Sequence, residues 1–341
     1  MRNLLAVLVA LCWVTPLLAA QRPNIVVLFS DDAGYADFGF QPGARADMKR
    51  LTPHIDSIAR DGVRLSAAYM SGAVCSPSRA GLMTGRYQQR FGHDNNIPPG
   101  YMKSGLPLSE TFGVKRLRTA GYTTGLVGKW HLGYPAAYHP NKRGFDWFYG
   151  CLQGSRSYFP YKSKPTPHRV LQENGRATPE TGYVTDRLGD AACRFIGEHR
   201  DEPFYLFVSF TAPHGPLQAK PEHLAALSKI SATRRRRYAG LVVSLDENVG
   251  KILACLASNK LDGRTLVIFT NDNGGQTRTG ANNQPLRGRK GQLWEGGIRV
   301  PCAMRWPGKI EAGSVIDDPI SALDFLPTFM AIAGVRPKAE W

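Results

Sequence analysis

A chain of 341 residues, 43% hydrophobic, is long enough for one large buried core, or one core with a small satellite, and too mixed in composition to be a disordered tail. Its formal charge of +16 favours polyanionic partners; no helix-turn-helix, finger or aromatic-rich RNA-binding signature supports nucleic acid among them. No two cysteines have Cys-x-x-Cys spacing, which argues against a thiolate zinc site.

Residues 1–20 read as an export signal. Arg2 gives a short positive region, Leu4 to Val14 an apolar stretch too short to span a bilayer, and Leu17-Leu18-Ala19-Ala20 a small-residue cleavage site. A buried N-terminal strand or helix is the alternative for this stretch. Residues 21–341 are then expected as a periplasmic or secreted protein, with no later segment apolar enough to form a transmembrane helix.

Along that part, Asn24 to Ser30 (NIVVLFS) is the first predicted strand, ending on Asp31 and Asp32. Thr52 to Arg60 predicts a helix, and Leu108 to Ala120 another. Tyr122 to Val127 predicts a strand that runs into Gly128-Lys129-Trp130-His131. A long loop, Gly133 to Gly182, precedes a helix over Tyr183 to His199. The aromatics Phe145, Trp147, Phe148 and Tyr149 in that loop are more often core than a sugar platform. The strand Phe204 to Phe210 ends on Thr211-Ala212-Pro213-His214, a long helix covers Arg234 to Ser258, and the strand Thr265 to Thr270 ends on Asn271-Asp272-Asn273. Arg234 to Arg237 is expected as the solvated start of its helix. Near-continuous apolar strands alternating with helices predict an α/β fold with a mostly parallel central sheet and helices on both faces. Ligands of such sheets gather beyond the carboxyl ends of the strands, so four strand ends deliver acidic, amide, cationic or imidazole groups to one rim.

Asp31, Asp32, Asp272 and Asn273 offer three carboxylates and an amide oxygen, the donors a hard divalent cation such as calcium takes. Singly, each pair is equally a turn after a strand. In Cys75-Ser76-Pro77-Ser78-Arg79, Ser76 is a good helix cap and Pro77 a good first-turn residue, which puts Cys75 at a helix N-terminus where anions are attracted. Arg79 then approaches the same anion from one turn inside. A thiolate nucleophile or an inert buried cysteine fits this position as well. Beyond the signal, Cys75, Cys151, Cys193, Cys255 and Cys302 remain, so at least one is unpaired within the chain. With Cys75 as the odd one, the other four form two disulfides in one of three connectivities or stay as small core residues. His93, His139, His168 and His223 match no motif and are expected in loops or on the surface, with substrate contact the alternative for His93.

Cys75-x-Pro77-x-Arg79 followed by Gly85-Arg86, together with Gly128-Lys129-Trp130-His131-Leu132-Gly133, resembles the two signature segments of the type I sulfatases of the alkaline phosphatase-like superfamily. Pro213-His214, Asn271-Asp272-Asn273-Gly274-Gly275 and Lys290 within LRGRKGQLWEGGIRVP look like the remaining family blocks, in the family's order from Asn24 to about Gly334. The resemblance implies an alkaline phosphatase-like fold and a sulfuric ester hydrolase. Cys75 would be converted to formylglycine by a formylglycine-generating enzyme, and Asp31, Asp32, Asp272 and Asn273 would bind calcium together with residue 75. Arg79 would steady the diol, Lys129 and Lys290 would grip sulfate, His214 would assist the leaving alcohol and His131 would take a proton from the second hydroxyl. The expected substrate is a sulfated small molecule or glycan. Family members usually continue into a smaller C-terminal subdomain, which is expected to be missing after the apolar helix candidate Ala322 to Gly334. A phosphonate or phosphate ester hydrolase of the same superfamily, or an inactive truncated relative that only binds polyanions, are the competing expectations.

Overall fold

The computed structural model describes residues 22–336, so the expected export signal at 1–20 lies outside the described residues. Eleven strands form one sheet: β1 (Asn24–Ser30), β2 (Val63–Tyr69), β3 (Thr123–Lys129), β4 (Trp147–Cys151), β5 (Gln172–Glu173), β6 (Arg176–Ala177), β7 (Phe204–Ser209), β8 (Thr265–Asn271), β9 (Arg299–Arg305), β10 (Ser314–Ile316) and β11 (Ile320–Ser321). Their order is β10-β2-β9-β8-β1-β7-β3-β4-β5-β6, with β11 also on β2. The middle of the sheet, β8-β1-β7-β3-β4, is parallel throughout. Antiparallel pairs flank it, β8 with β9 and β9 with β2 on one side, β4 with β5 and β5 with β6 on the other.

Successive side chains of a strand point to opposite faces, and both faces of β1 are covered. Val26 and Leu28 pack under α1 (Pro53–Arg60), α4 (Val184–Glu198) and α6 (Thr233–Ser258). Ile25, Val27 and Phe29 pack under α2 (Cys75–Thr84), α3 (Gly113–Thr119) and α8 (Phe325–Ile332). Two short helices, α5 (Pro221–Ala226) and α7 (Glu295–Ile298), sit in connections. The result is the mostly parallel α/β architecture with helices on both faces. No helix among the described residues is long and apolar enough to cross a membrane.

Four local expectations are corrected. The helix expected over Leu108 to Ala120 begins only at Gly113, because the Arg143 guanidinium draws the carbonyls of Leu106, Pro107 and Glu110 into a loop, at 3.0–3.3 Å. The N-cap of α2 is Val74 rather than Ser76, whose hydroxyl instead bonds to His93 and to the His131 carbonyl at 2.7 Å each. Arg235 is not a solvated start of α6, since it pairs with Asp37 at 2.7 Å and Asp47 at 2.8 Å. His223 is neither in a loop nor on the surface but buried in the helix Pro221–Ala226, bonding Gly240 O and Glu247, whereas His93 lies in a loop, as expected, and is buried there. The aromatic run of the long loop supplies β4, with Phe148 fully buried, so it is core.

Candidate active site

The carboxyl ends of β1, β3, β7 and β8 meet on one rim, and each delivers charged or imidazole groups there. Asp31 and Asp32 follow β1, buried, with Asp32 at φ 64°. Asp272 and Asn273 follow β8 and are fully buried. The two acidic turns are tied together: Asp32 N donates to Asp272 Oδ1 at 3.1 Å, and Asn273 Nδ2 donates to Asp32 Oδ1 at 2.9 Å.

Cys75 is the first residue of α2 and 1% exposed. Its Sγ lies 3.5 Å from Asp31 Oδ1, 3.9 Å from Asp32 Oδ1 and 3.1 Å from Lys290 Nζ. Three cations hold the carboxylates around it. Lys129 Nζ, fully buried at the end of β3, is 2.5 Å from Asp31 Oδ2. Lys290 Nζ bridges both oxygens of Asp32 at 2.6 and 2.7 Å. Arg79 grips Asp272 Oδ2 with Nε at 3.2 Å and Nη2 at 3.0 Å, and its Nη2 is 3.7 Å from Asp31. Gly128 has φ 106°, and a side chain there would collide with the Ser209 carbonyl, so β3 turns Lys129 into the site only with glycine before it.

Protonation follows from this crowding. Burial and the Asp272 charge raise Asp31 above the usual carboxylate range despite Lys129. Burial also pushes Asp272 up, but Arg79, Lys129 and Lys290 outweigh it and hold that carboxyl far down. Asp32 is likewise lowered, by Lys290 and His214 against burial. Burial would lower Lys290, yet the charges of Cys75 and Asp32 raise it, so its ammonium is permanent.

His214 borders the acids, and His131 lies near Lys129. His214 follows β7; its Nδ1 meets Gly215 O at 2.6 Å and its Nε2 lies 3.5 Å from Asp32 Oδ2. Both ring nitrogens thus face oxygen atoms. His131 follows β3 at φ 61°, with Nε2 3.1 Å from Ile97 O and Nδ1 buried without a partner. A carbonyl only accepts, so the proton sits on Nε2 and Nδ1 keeps a free lone pair. Burial and Lys129 hold this ring far below the usual histidine range, hence neutral.

A family model described as Sulfatase matches residues 23–335. The chain belongs to the sulfatase family. N-acetylgalactosamine-6-sulfatase of Mus musculus is 35% identical over 94% of this chain and 64% of its own length, and arylsulfatase J of Mus musculus 33% identical over 92% and 52%. This sulfatase chain thus spans about half to two thirds of the length of these curated relatives. Among solved structures, Ps i-CgsB in complex with k-i-k-neocarrahexaose has a TM-score of 0.89 at 41% identity, over 94% of this chain and 74% of that one. The PsFucS1 sulfatase from Pseudoalteromonas sp. has a TM-score of 0.80 at 30% identity, over 92% and 68%.

The donor set of the sulfatase rim fits a metal ion. One ligand atom each from Asp31, Asp32, Cys75 and His214 falls within 4.8 Å of the others, and Asn273 Oδ1 is buried without a partner. Asp272 stands outside this tightest group because Arg79 claims its Oδ2. The ammonium groups of Lys129 and Lys290 neutralise the carboxylates that a cation would otherwise share. All ten residues singled out from sequence therefore meet on this rim. Reading the sequence missed those that hold them. Asn271 accepts from Ser30 Oγ at 2.8 Å and Ala33 N at 3.1 Å, locking the two acidic turns. Ser209 Oγ meets Arg79 Nη1 at 2.5 Å, Asn96 Oδ1 accepts from Ser76 N at 2.8 Å, and Tyr158 donates to the Thr211 and His214 carbonyls at 2.7 Å. Ser209 and Asn271 end strands β7 and β8, so their position was a signal; Asn96 and Tyr158 arrive from loops that carry none.

Proposed function

We propose that this chain hydrolyses sulfate esters of a sulfated carbohydrate. Residue 75, oxidised from cysteine to formylglycine, would be the nucleophile, and Asp31, Asp32, Asp272 and Asn273 would hold a calcium ion. The observation that carries this reading is the contact of Cys75, at the tip of α2, with both Asp31 and Asp32 and with the Lys290 ammonium. An all-oxygen carboxylate and amide set suits calcium better than a softer metal, and a bound calcium would act as a Lewis acid toward a sulfate oxygen. Hydrated, a formylglycine supplies two geminal hydroxyls, one to attack sulfur and one whose deprotonation expels sulfate. Lys129 and Lys290 place two fixed positive charges where negative charge grows on the transferring group, and Arg79 keeps Asp272 ionised in place. His214, with both nitrogens facing oxygen atoms, is placed to protonate the departing alcohol. His131 has a bare Nδ1 ready to take the second hydroxyl's proton. The name of N-acetylgalactosamine-6-sulfatase supports a sugar sulfate, as does the charge of +16. Export to the periplasm or medium, and a formylglycine-generating enzyme as maturation partner, belong to the same reading.

The test is paired. In protein from its native host, the tryptic peptide Leu65–Arg79 should be lighter than its cysteine form by about 18 Da, a thiol replaced by an aldehyde rather than an oxidation product of the usual ladder. Sulfate should be released from a sulfated sugar, and Cys75→Ala should abolish it. Release of phosphate in preference to sulfate from matched aryl esters would assign the chain to phosphoester chemistry instead. Unmodified Cys75 with neither activity would leave only polyanion binding.

A further inference from the structure

Among the described residues all five cysteines are free thiols. Cys75 belongs to the rim already described, and Cys151 and Cys302 are fully buried on β4 and β9. The other two lie outside the site on α4 and α6, both half-buried.

These helices run in the same direction with their residues in step. Asn248 Nδ2 donates to Asp186 Oδ1 at 2.9 Å, and one turn on Lys251 Nζ donates to Asp190 Oδ1 at 2.6 Å. Cys193 and Cys255 are the next rung, each a further three or four residues along its helix and therefore on the same face. The helices are close here: a side chain at Gly189 would collide with Asn248. Each sulfur reaches the opposite backbone, Cys255 Sγ donating to Cys193 O at 3.5 Å and Cys193 Sγ to Lys251 O at 3.6 Å. The two thiols are close enough to shift each other's titration.

We propose that Cys193 and Cys255 close into a disulfide that staples α4 to α6 when the chain meets a small-molecule disulfide oxidant. The adjacent Cys193 thiol holds the Cys255 thiol down to about 7, so Cys255 supplies the attacking thiolate. It attacks one sulfur of the external disulfide, breaking that S–S bond and releasing one thiol. Cys193 then attacks the mixed disulfide and releases the second. Two protein S–H bonds and one external S–S bond are lost, and one protein S–S bond and two external S–H bonds form; both electrons go to the oxidant. The cysteine arithmetic then closes on one bridge, one site residue and two core thiols.

The folded protein is incubated with oxidised glutathione and digested with trypsin without reduction. Peptide Leu188–Arg194 should appear joined to Ile252–Lys260, about 2 Da lighter than the two free peptides together, the mass of the hydrogens lost on disulfide formation. Oxidation should also raise Tm in the wild-type chain and leave Tm of the Cys193→Ser variant unchanged. In Cys255→Ser, Cys193 should stay open to maleimide labelling. Recovery of both cysteines as free or separately glutathionylated thiols, or linkage of either to Cys75, Cys151 or Cys302, overturns the proposal. So does an equal Tm rise in the serine variant.

Discussion

Ser76 connects two histidines behind the candidate nucleophile: its hydroxyl meets His93 Nε2 and donates to the His131 carbonyl, each at 2.7 Å. Burial depresses His93 from 6.5 to about 4. The unfolded chain therefore takes up this proton first as pH falls. The associated stability is complete above the unfolded value near 6.5 and drains away toward about 4. Denaturant midpoints should fall between pH 7 and 4.5, and His93→Gln should remove a share of that slope worth on the order of 2 kcal/mol; parallel slopes in both proteins would refute the assignment. The charged residues of the rim were legible because each follows directly on an apolar strand or lies in a motif. His93 was not, since nothing in its neighbours Gly92 and Asp94 announces that Ser76 will be folded over it.

Asp246, in the middle of α6, caps a different helix. Its carboxylate accepts from Ile55 N at 2.8 Å and His54 N at 3.3 Å, two free amides in the first turn of α1. Burial raises this carboxyl to about 7, so the cap is already partly protonated at neutral pH. Asp246→Ala leaves both amides unpaired and should destabilise the fold by about 1–3 kcal/mol, read as a lowered urea midpoint at unchanged m; an unchanged midpoint would show that water replaces the cap. Such a contact between residues nearly two hundred positions apart has no sequence signature. Strands β1, β7 and β8 did have one, since burial on both faces makes each a continuous apolar run. By contrast β2 (VRLSAAY) mixes buried and half-buried positions, and β9 (RVPCAMR) carries a proline and two arginines. Both are defined by antiparallel pairing with each other across most of the chain, which local composition does not encode.

For the whole molecule, the excess of positive charge acts at long range. Turnover of a polysulfated substrate should slow roughly tenfold in kcat/KM between low salt and about 0.3 M, as screening shortens the reach of the field. A small monosulfate ester should respond far less, and an equal response would place the effect elsewhere. The sheet order has its own consequence. β1 is the first strand among the described residues yet lies mid-sheet, and both its neighbours, Phe204–Ser209 and Thr265–Asn271, are made long after it. Until they dock, the segment around Cys75 has no floor beneath it and no acidic turn from Asp272 beside it. Once they do, Cys75 is sealed to 1% exposure. An enzyme that modified the Cys75 side chain would therefore need to reach it before β7 and β8 dock on β1, and the docking of those two strands would set how long such access lasts.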